Sequence, residues 1–147
     1  MEALKVFLKQ FIRRLNVNRL MSEIMRDERL KSYIIELNQE QLYEQGADSK
    51  GNPLEPYSRL TMQIKRRKGQ RYDRTTLKDT GKFYKSFRII VESDGFVITA
   101  NGQKGDQNLF DRYGIDILGL NDVNQYQVEQ ILGREIRSKI IEVLQIN

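Results

Sequence analysis

The chain has 147 residues, the length of one compact domain with one hydrophobic core. Apolar residues make up 39% and charged residues 31%, a balance that supports folding around a modest core. Lys and Arg number 25 against 20 Asp and Glu, giving a net charge of +5, and His and Cys are both absent. Without His, triads that need an imidazole and His-ligated metals are excluded, and acid–base work at neutral pH would fall to shifted carboxylates, Lys or Tyr. Without Cys there are no disulfides, thiolate nucleophiles, zinc knuckles or iron–sulfur ligands. No apolar run approaches the roughly 20 residues that span a bilayer, and Met1-Glu2-Ala3 opens an amphipathic segment rather than a charged leader followed by an apolar block. The expectation is a soluble, intracellular protein with no membrane contact.

Leu4, Phe7, Leu8, Phe11, Ile12 and Leu15 fall at helical spacing, with Lys5, Lys9, Arg13 and Arg14 on the other face. Asn16-Val17-Asn18 interrupts this helix. A second periodic run takes in Leu20, Ile24 and Met25, then Leu30, Tyr33, Ile34, Leu37 and Leu42 up to Gly46, so two or three helical pieces are expected. Residues 1–28 read as amphipathic helices forming a packing arm on a single domain spanning 1–147, whose core is 29–147. A basic amphipathic helix also suits a membrane surface, but packing on the domain or on a neighbouring subunit is the simpler use.

Residues 46–53 are turn chemistry throughout. Asp48, Gly51 and Asn52 faintly suggest a calcium loop, but Arg59 stands where the bidentate acid belongs, so no metal is expected there. Ser58 is an N-cap for a short helix with Leu60 and Ile64 on one side. That helix runs into Lys65, Arg66, Arg67 and Lys68, and Arg71 and Arg74 follow, with Tyr72 among them. A basic stretch with an interleaved aromatic can hold phosphate and stack a base, or serve as a solvated loop or a subunit contact. Phe83, Tyr84 and Phe87 make a short aromatic helix or turn that would pin the loop onto the core, for which Asp79 or Thr80 would be the cap.

From Phe87 the period changes to two, and residues 87–92, Ser93-Asp94-Gly95 and residues 96–100 read as a β-hairpin with an Asp-Gly turn. Such a hairpin needs a third strand or a helix; residues 77–78 and the segment near 115–118 are the candidate strands. Residues 101–106 read as a flexible loop whose Gly102 and Gly105 lack the context of a phosphate cradle. Leu109, Phe110 and Tyr113 form an apolar turn closed by Gly114, and Asn121 caps a last amphipathic helix to the C-terminus. The fold class is therefore α+β, an antiparallel hairpin-based sheet packed with N-terminal and C-terminal helices.

An enzyme has little to work with. Asp73, Asp79, Glu92, Asp94, Asp106, Asp111 and Asp116 are scattered over turns rather than gathered on one rigid element, and Ser58 and Ser86 have no His. No catalytic residue and no cofactor is assigned.

The order of pieces is more telling. Residues 40–54, followed by Pro56-Tyr57-Ser58-Arg59-Leu60-Thr61 and the Lys/Arg-rich helix, resemble the tailed-phage virion morphogenesis or tail completion family. Leu77-Lys78-Asp79-Thr80-Gly81-Lys82-Phe83-Tyr84-Lys85-Ser86-Phe87 is similar to that family's L-x-D-T-G-x-L-x-x-S-hydrophobic lead-in to a hairpin, and Ile117-Leu118-Gly119-Leu120-Asn121-Asp122 to its F-L-G-L-S/N-D/E segment. The resemblance covers roughly residues 30–144. The family's His before Gly114 and its Arg-Pro before the Leu-Gly-Leu segment are missing, so the contacts those residues make do not carry over.

The resemblance implies a virion protein without catalysis. It would form a homo-oligomeric ring, commonly hexameric, at the neck or upper tail, where duplex DNA passes through the lumen. Its partners would be copies of itself, the connector or portal-side protein and tail proteins, and it would reside in the host cytoplasm during assembly. Lys65, Arg66, Arg67, Lys68, Arg71 and Arg74 would then form a DNA-facing or subunit-contact loop, with Tyr72, Phe83 and Tyr84 as interface anchors. The alternative is a small basic nucleic-acid-binding protein using the same cations, and a cation-dependent nuclease around Asp73 or Asp79 ranks last.

Overall fold

The structure, a computed structural model, describes residues 2–145; the side chains of Leu8, Phe11, Ile12, Arg14 and Gln145 lie outside the described set. The expectation that Leu8, Phe11 and Ile12 share the apolar face of the first helix therefore falls outside the described residues.

Helices α1 (Glu2–Arg14), α2 (Val17–Ile24) and α3 (Glu28–Glu40) open the chain. Each break has a local cause. Asn16 caps α2 by accepting the Arg19 N–H at 3.2 Å, and Asp27 caps α3 by accepting the Arg29 N–H at 2.8 Å. On α1, Leu4, Val6 and Phe7 are exposed, whereas Leu20, Ile24 and Met25 are buried and α2 packs on the last helix. Helix α3 ends in a π-helical turn, Gln41–Gln45, closed by Gly46 in the left-handed conformation.

In the loop that follows, the Asp48 carboxylate accepts the backbone N–H groups of Lys50 and Asn52 at 2.9 and 2.8 Å, so its acid orders a turn. Ser58 caps α4 (Arg59–Arg67) as expected, accepting the Thr61 N–H at 3.1 Å. Helix α5 (Lys82–Lys85) starts from a left-handed Gly81; the Thr80 hydroxyl accepts the Lys82 N–H at 3.4 Å, while Asp79 is engaged elsewhere.

Strands β1 (Arg88–Glu92) and β2 (Gly95–Thr99) pair antiparallel, with Ile90 opposite Val97 and Glu92 opposite Gly95. The connecting residues are Ser93 and Asp94, and Gly95 is already the first residue of β2, one position later than an Asp-Gly turn would place it. This sheet has two strands among the described residues. The expected third strand does not form: Ile115–Ile117 is a 3₁₀ turn, and Leu77 has φ +57°, which no strand accepts. Helix α3 covers the inner face of the hairpin instead.

Residues expected as a flexible loop form a second, very short hairpin of β3 (Gln103–Lys104) and β4 (Gln107–Asn108), turned at a left-handed Gly105. Helix α6 (Leu109–Tyr113) follows and ends at Gly114. The long α7 (Asp122–Gln145) is capped by Asn121, whose side chain accepts the Asn124 N–H at 3.0 Å.

The core gathers Met25, Ile34, Leu42, Phe87, Ile98, Ile117 and Val128. Phe83, Phe87 and Phe110 meet edge to face, with centroids 5.1 Å apart for Phe83–Phe87 and 6.3 Å for Phe83–Phe110. A buried polar network runs through it. Asn38 donates to the Ile117 carbonyl at 3.1 Å and accepts the Gly119 N–H at 2.8 Å. Gln41 donates to Gly119 O at 3.3 Å and accepts from Asn121 N at 2.8 Å and Asn124 Nδ2 at 3.2 Å. Helix α3 thereby holds both the 117–121 loop and the start of α7. The architecture is α+β, a hairpin packed with N-terminal and C-terminal helices.

Candidate functional site

The basic segment is built around a buried ammonium. Lys65 lies on the inner side of α4 at 6% exposure; its Nζ donates to the Lys78 carbonyl at 2.8 Å and to Gln70 Oε1 at 3.5 Å, and sits 4.9 Å from the centre of the Tyr57 ring. A buried charge is tolerated only with such partners, and here they clamp α4 against the returning chain at Lys78. Gln70 in turn donates to Asp79 O at 3.1 Å and Asp79 Oδ1 at 3.2 Å. Lys68 and Lys104 pair with the same carboxylate at 3.2 and 3.4 Å. The Gln70 hydrogen bond, with these two ammonium groups, holds the Asp79 carboxyl down to about 2.

The next two cations are also engaged. Arg71 donates to Tyr43 O at 3.0 Å and Glu44 Oε2 at 2.8 Å while its guanidinium lies 4.6 Å from the centre of the Tyr43 ring. Arg74 donates to the Glu44 carbonyl and pairs with Asp73 at 2.7 Å, and that guanidinium holds the Asp73 carboxyl below the usual range. Arg66 and Arg67 are exposed on the outer side of α4 and make no ion pair among the described residues. The six cations therefore do not form one open patch: Lys65, Lys68, Arg71 and Arg74 brace the segment, and Arg66 and Arg67 face solvent.

Of the three expected anchors, Tyr72 is 41% exposed. Phe83 and Tyr84 require correction. They are 8% and 9% exposed, packed against Phe87, and the Tyr84 hydroxyl donates to the Thr76 carbonyl. The four-residue α5 turns both rings inward, so they pin the segment to the core and offer nothing to a neighbour. Burial pushes the Tyr84 phenol well up from its ordinary range.

Sequence reasoning passed over Tyr57, whose hydroxyl accepts the backbone N–H groups of Thr76 and Leu77 at 3.0 and 3.3 Å. Those bonds hold the buried Leu77 at its positive φ, a conformation costly for a branched side chain. It also passed over Asn38 and Gln41. A signal was present, since both continue the i, i+4, i+7 stripe from the fully buried Ile34.

Between the braced segment and the short hairpin lies a cleft of about 500 Å³. Lys65, Lys78, Lys82, Lys104 and Arg112 line it with the single acid Asp79, and Tyr57 and Tyr113 supply aromatic walls. Such a lining attracts anionic groups. The acids weighed for a nuclease are not gathered: Asp73 and Asp79 pair with different cations, and Asp116 pairs with Lys50 at 2.7 Å. Among the described residues there is no cluster of three Asp or Glu able to hold a metal ion, and no helix is long and apolar enough to cross a membrane. Comparison of the chain with family models, curated proteins and solved structures returns no match.

Proposed function

We propose that the chain is a non-enzymatic structural subunit of a tailed-phage virion, a tail-completion or head–tail-joining protein that assembles with copies of itself into a ring around passing duplex DNA. The observation that carries this reading is the distribution of exposed apolar residues in adjacent pairs on separate elements: Leu60 and Ile64 on α4, Ile90 and Val97 on the hairpin, Ile141 and Leu144 at the end of α7. Single exposed apolar residues need no explanation, but adjacent ones on several faces suit a subunit whose neighbours cover them. The braced segment adds support, because a segment held by internal bonds can present its exposed face to a neighbour at a fixed angle. The connector or portal-side protein and tail proteins would be the other neighbours, with the virion as the final location.

The competing reading, a nucleic-acid-binding protein using the six cations, fits less well because four of them are held by internal partners. The two readings differ in salt dependence. Six phosphate contacts give a slope of log K against log salt of about −5, two give about −2, and a ring that merely surrounds DNA gives almost none as a free monomer. Electron microscopy and light scattering of the purified protein test the proposal. Closed rings with a shallow salt slope are expected, whereas a monomer that binds DNA with the steep slope, or cleaves it with magnesium, overturns it.

A further inference from the structure

We propose that the outer face of the β1–β2 hairpin of one copy packs on the outer face of α4 of a second copy; this inference rests on the ring reading and names its contact. On α4, Leu60 and Ile64 are 67% and 44% exposed, one helical turn apart, with Arg67 continuing the stripe and Arg59 and Arg66 beside it. On the hairpin, Ile90 and Val97 are 52% and 41% exposed and directly opposite in register. Residues opposite in a ladder stand about 5 Å apart and residues four apart on a helix about 6 Å, so each pair forms one compact apolar spot.

The charges around the pairs are opposite. Glu92 and Asp94 close the turn end of the hairpin, are exposed and make no ion pair among the described residues; Arg59, Arg66 and Arg67 are in the same condition on α4. With the turn end laid toward the C-terminal end of α4, Glu92 and Asp94 meet Arg66 and Arg67. The hairpin's own cation does not oppose this, because the Arg88 guanidinium is turned back onto the carbonyls of Lys85 and Phe87 at 2.9 and 2.7 Å.

The layering points the same way. A two-stranded ribbon is marginal alone, and α3 covers only the inner face of this one; a helix on the outer face completes it. Each copy presents one α4 face and one hairpin face, which are different surfaces, so the contact is head to tail and propagates into a ring when the rotation closes.

The test uses the full chain carrying Leu60→Asp, the full chain carrying Val97→Asp, and the two mixed in equal amounts, sized by native mass spectrometry. Both positions are exposed, and an unchanged thermal midpoint checks that each variant folds. Each variant alone is expected to be monomeric. The mixture is expected to stop at heterodimers, since the intact α4 of the Val97→Asp chain and the intact hairpin of the Leu60→Asp chain make one contact and no more. A second pair, Arg66→Glu/Arg67→Glu with Glu92→Lys/Asp94→Lys, should lose assembly singly and regain rings of alternating chains when mixed, since every α4 then meets a hairpin of opposite charge. Wild-type rings that persist in both aspartate variants, or a mixture that stays monomeric, overturn this contact while leaving the ring reading in place. A wild-type chain that is monomeric at all concentrations overturns the ring reading and this inference with it, and association only with a different, acidic protein overturns the choice of a second copy.

Discussion

The buried carboxamide of Gln41 accepts the backbone N–H of Asn121 at 2.8 Å, so the π-helical turn that ends α3 holds the residue that caps α7. The two positions are 80 residues apart in the chain, and with the neighbouring bonds of Asn38 and Asn124 they join the N-terminal and C-terminal helices through a polar seam in an apolar core.

Replacing Gln41 by Leu keeps the volume and removes the acceptor of Asn121 N and the donor to Gly119 O, while Asn124 Nδ2 loses one acceptor and keeps the Leu37 carbonyl. Each orphaned buried group costs about 1–3 kcal/mol, so Gln41→Leu should lose at least that much in urea unfolding. A variant as stable as the wild type would show that packing, rather than this seam, joins the helices.

The basic residues should separate into two classes. Lys65→Met leaves the Lys78 carbonyl and Gln70 without their donor and should cost about 1–3 kcal/mol, and Lys65→Glu more. Arg66→Glu and Arg67→Glu, exposed and unpaired, should change monomer stability by no more than about 0.5 kcal/mol, which thermal denaturation measures directly.

Asp79 makes stability depend on acid pH. Its carboxyl is held down to about 2 in the folded chain, below its value in the unfolded chain, so its contribution is present above about pH 4 and disappears as pH falls toward 2. With a quarter of the side chain exposed, screening reduces the effect to about 1–2 kcal/mol. Asp79→Asn should lie below the wild type at pH 6 and converge with it near pH 2; a constant gap across that range would place the acid sensitivity elsewhere.

Gly102 is buried because a ring lies against it. A Cβ at this position would stand 2.7 Å from two carbons of Phe110, so Gly102→Ala should displace that ring and cost about 1–3 kcal/mol. Gly102→Ala paired with Phe110→Leu should recover part of the loss, read as the non-additivity of the double mutant.

Features decided within a few residues were legible in the chain: the break at Asn16, the caps Ser58 and Asn121, the Gly46 and Gly114 stops, and the two strands around residue 94. In each, a short polar side chain, a glycine or an alternating apolar pattern acts on backbone next to it, so spacing alone determines the outcome. Other features depended on what folding brings near. The run of cations gave no sign that Lys65 would lie beneath Tyr57 and that Arg71 and Arg74 would reach Glu44, because those partners are 8, 27 and 30 residues away. Phe83 and Tyr84 read equally well as surface or core until Phe87, Phe110 and Thr76 closed around them. Charge and apolarity are properties of a residue, whereas burial belongs to the pair or network it joins, and only the tertiary structure decided which cations became braces and which were left facing outward.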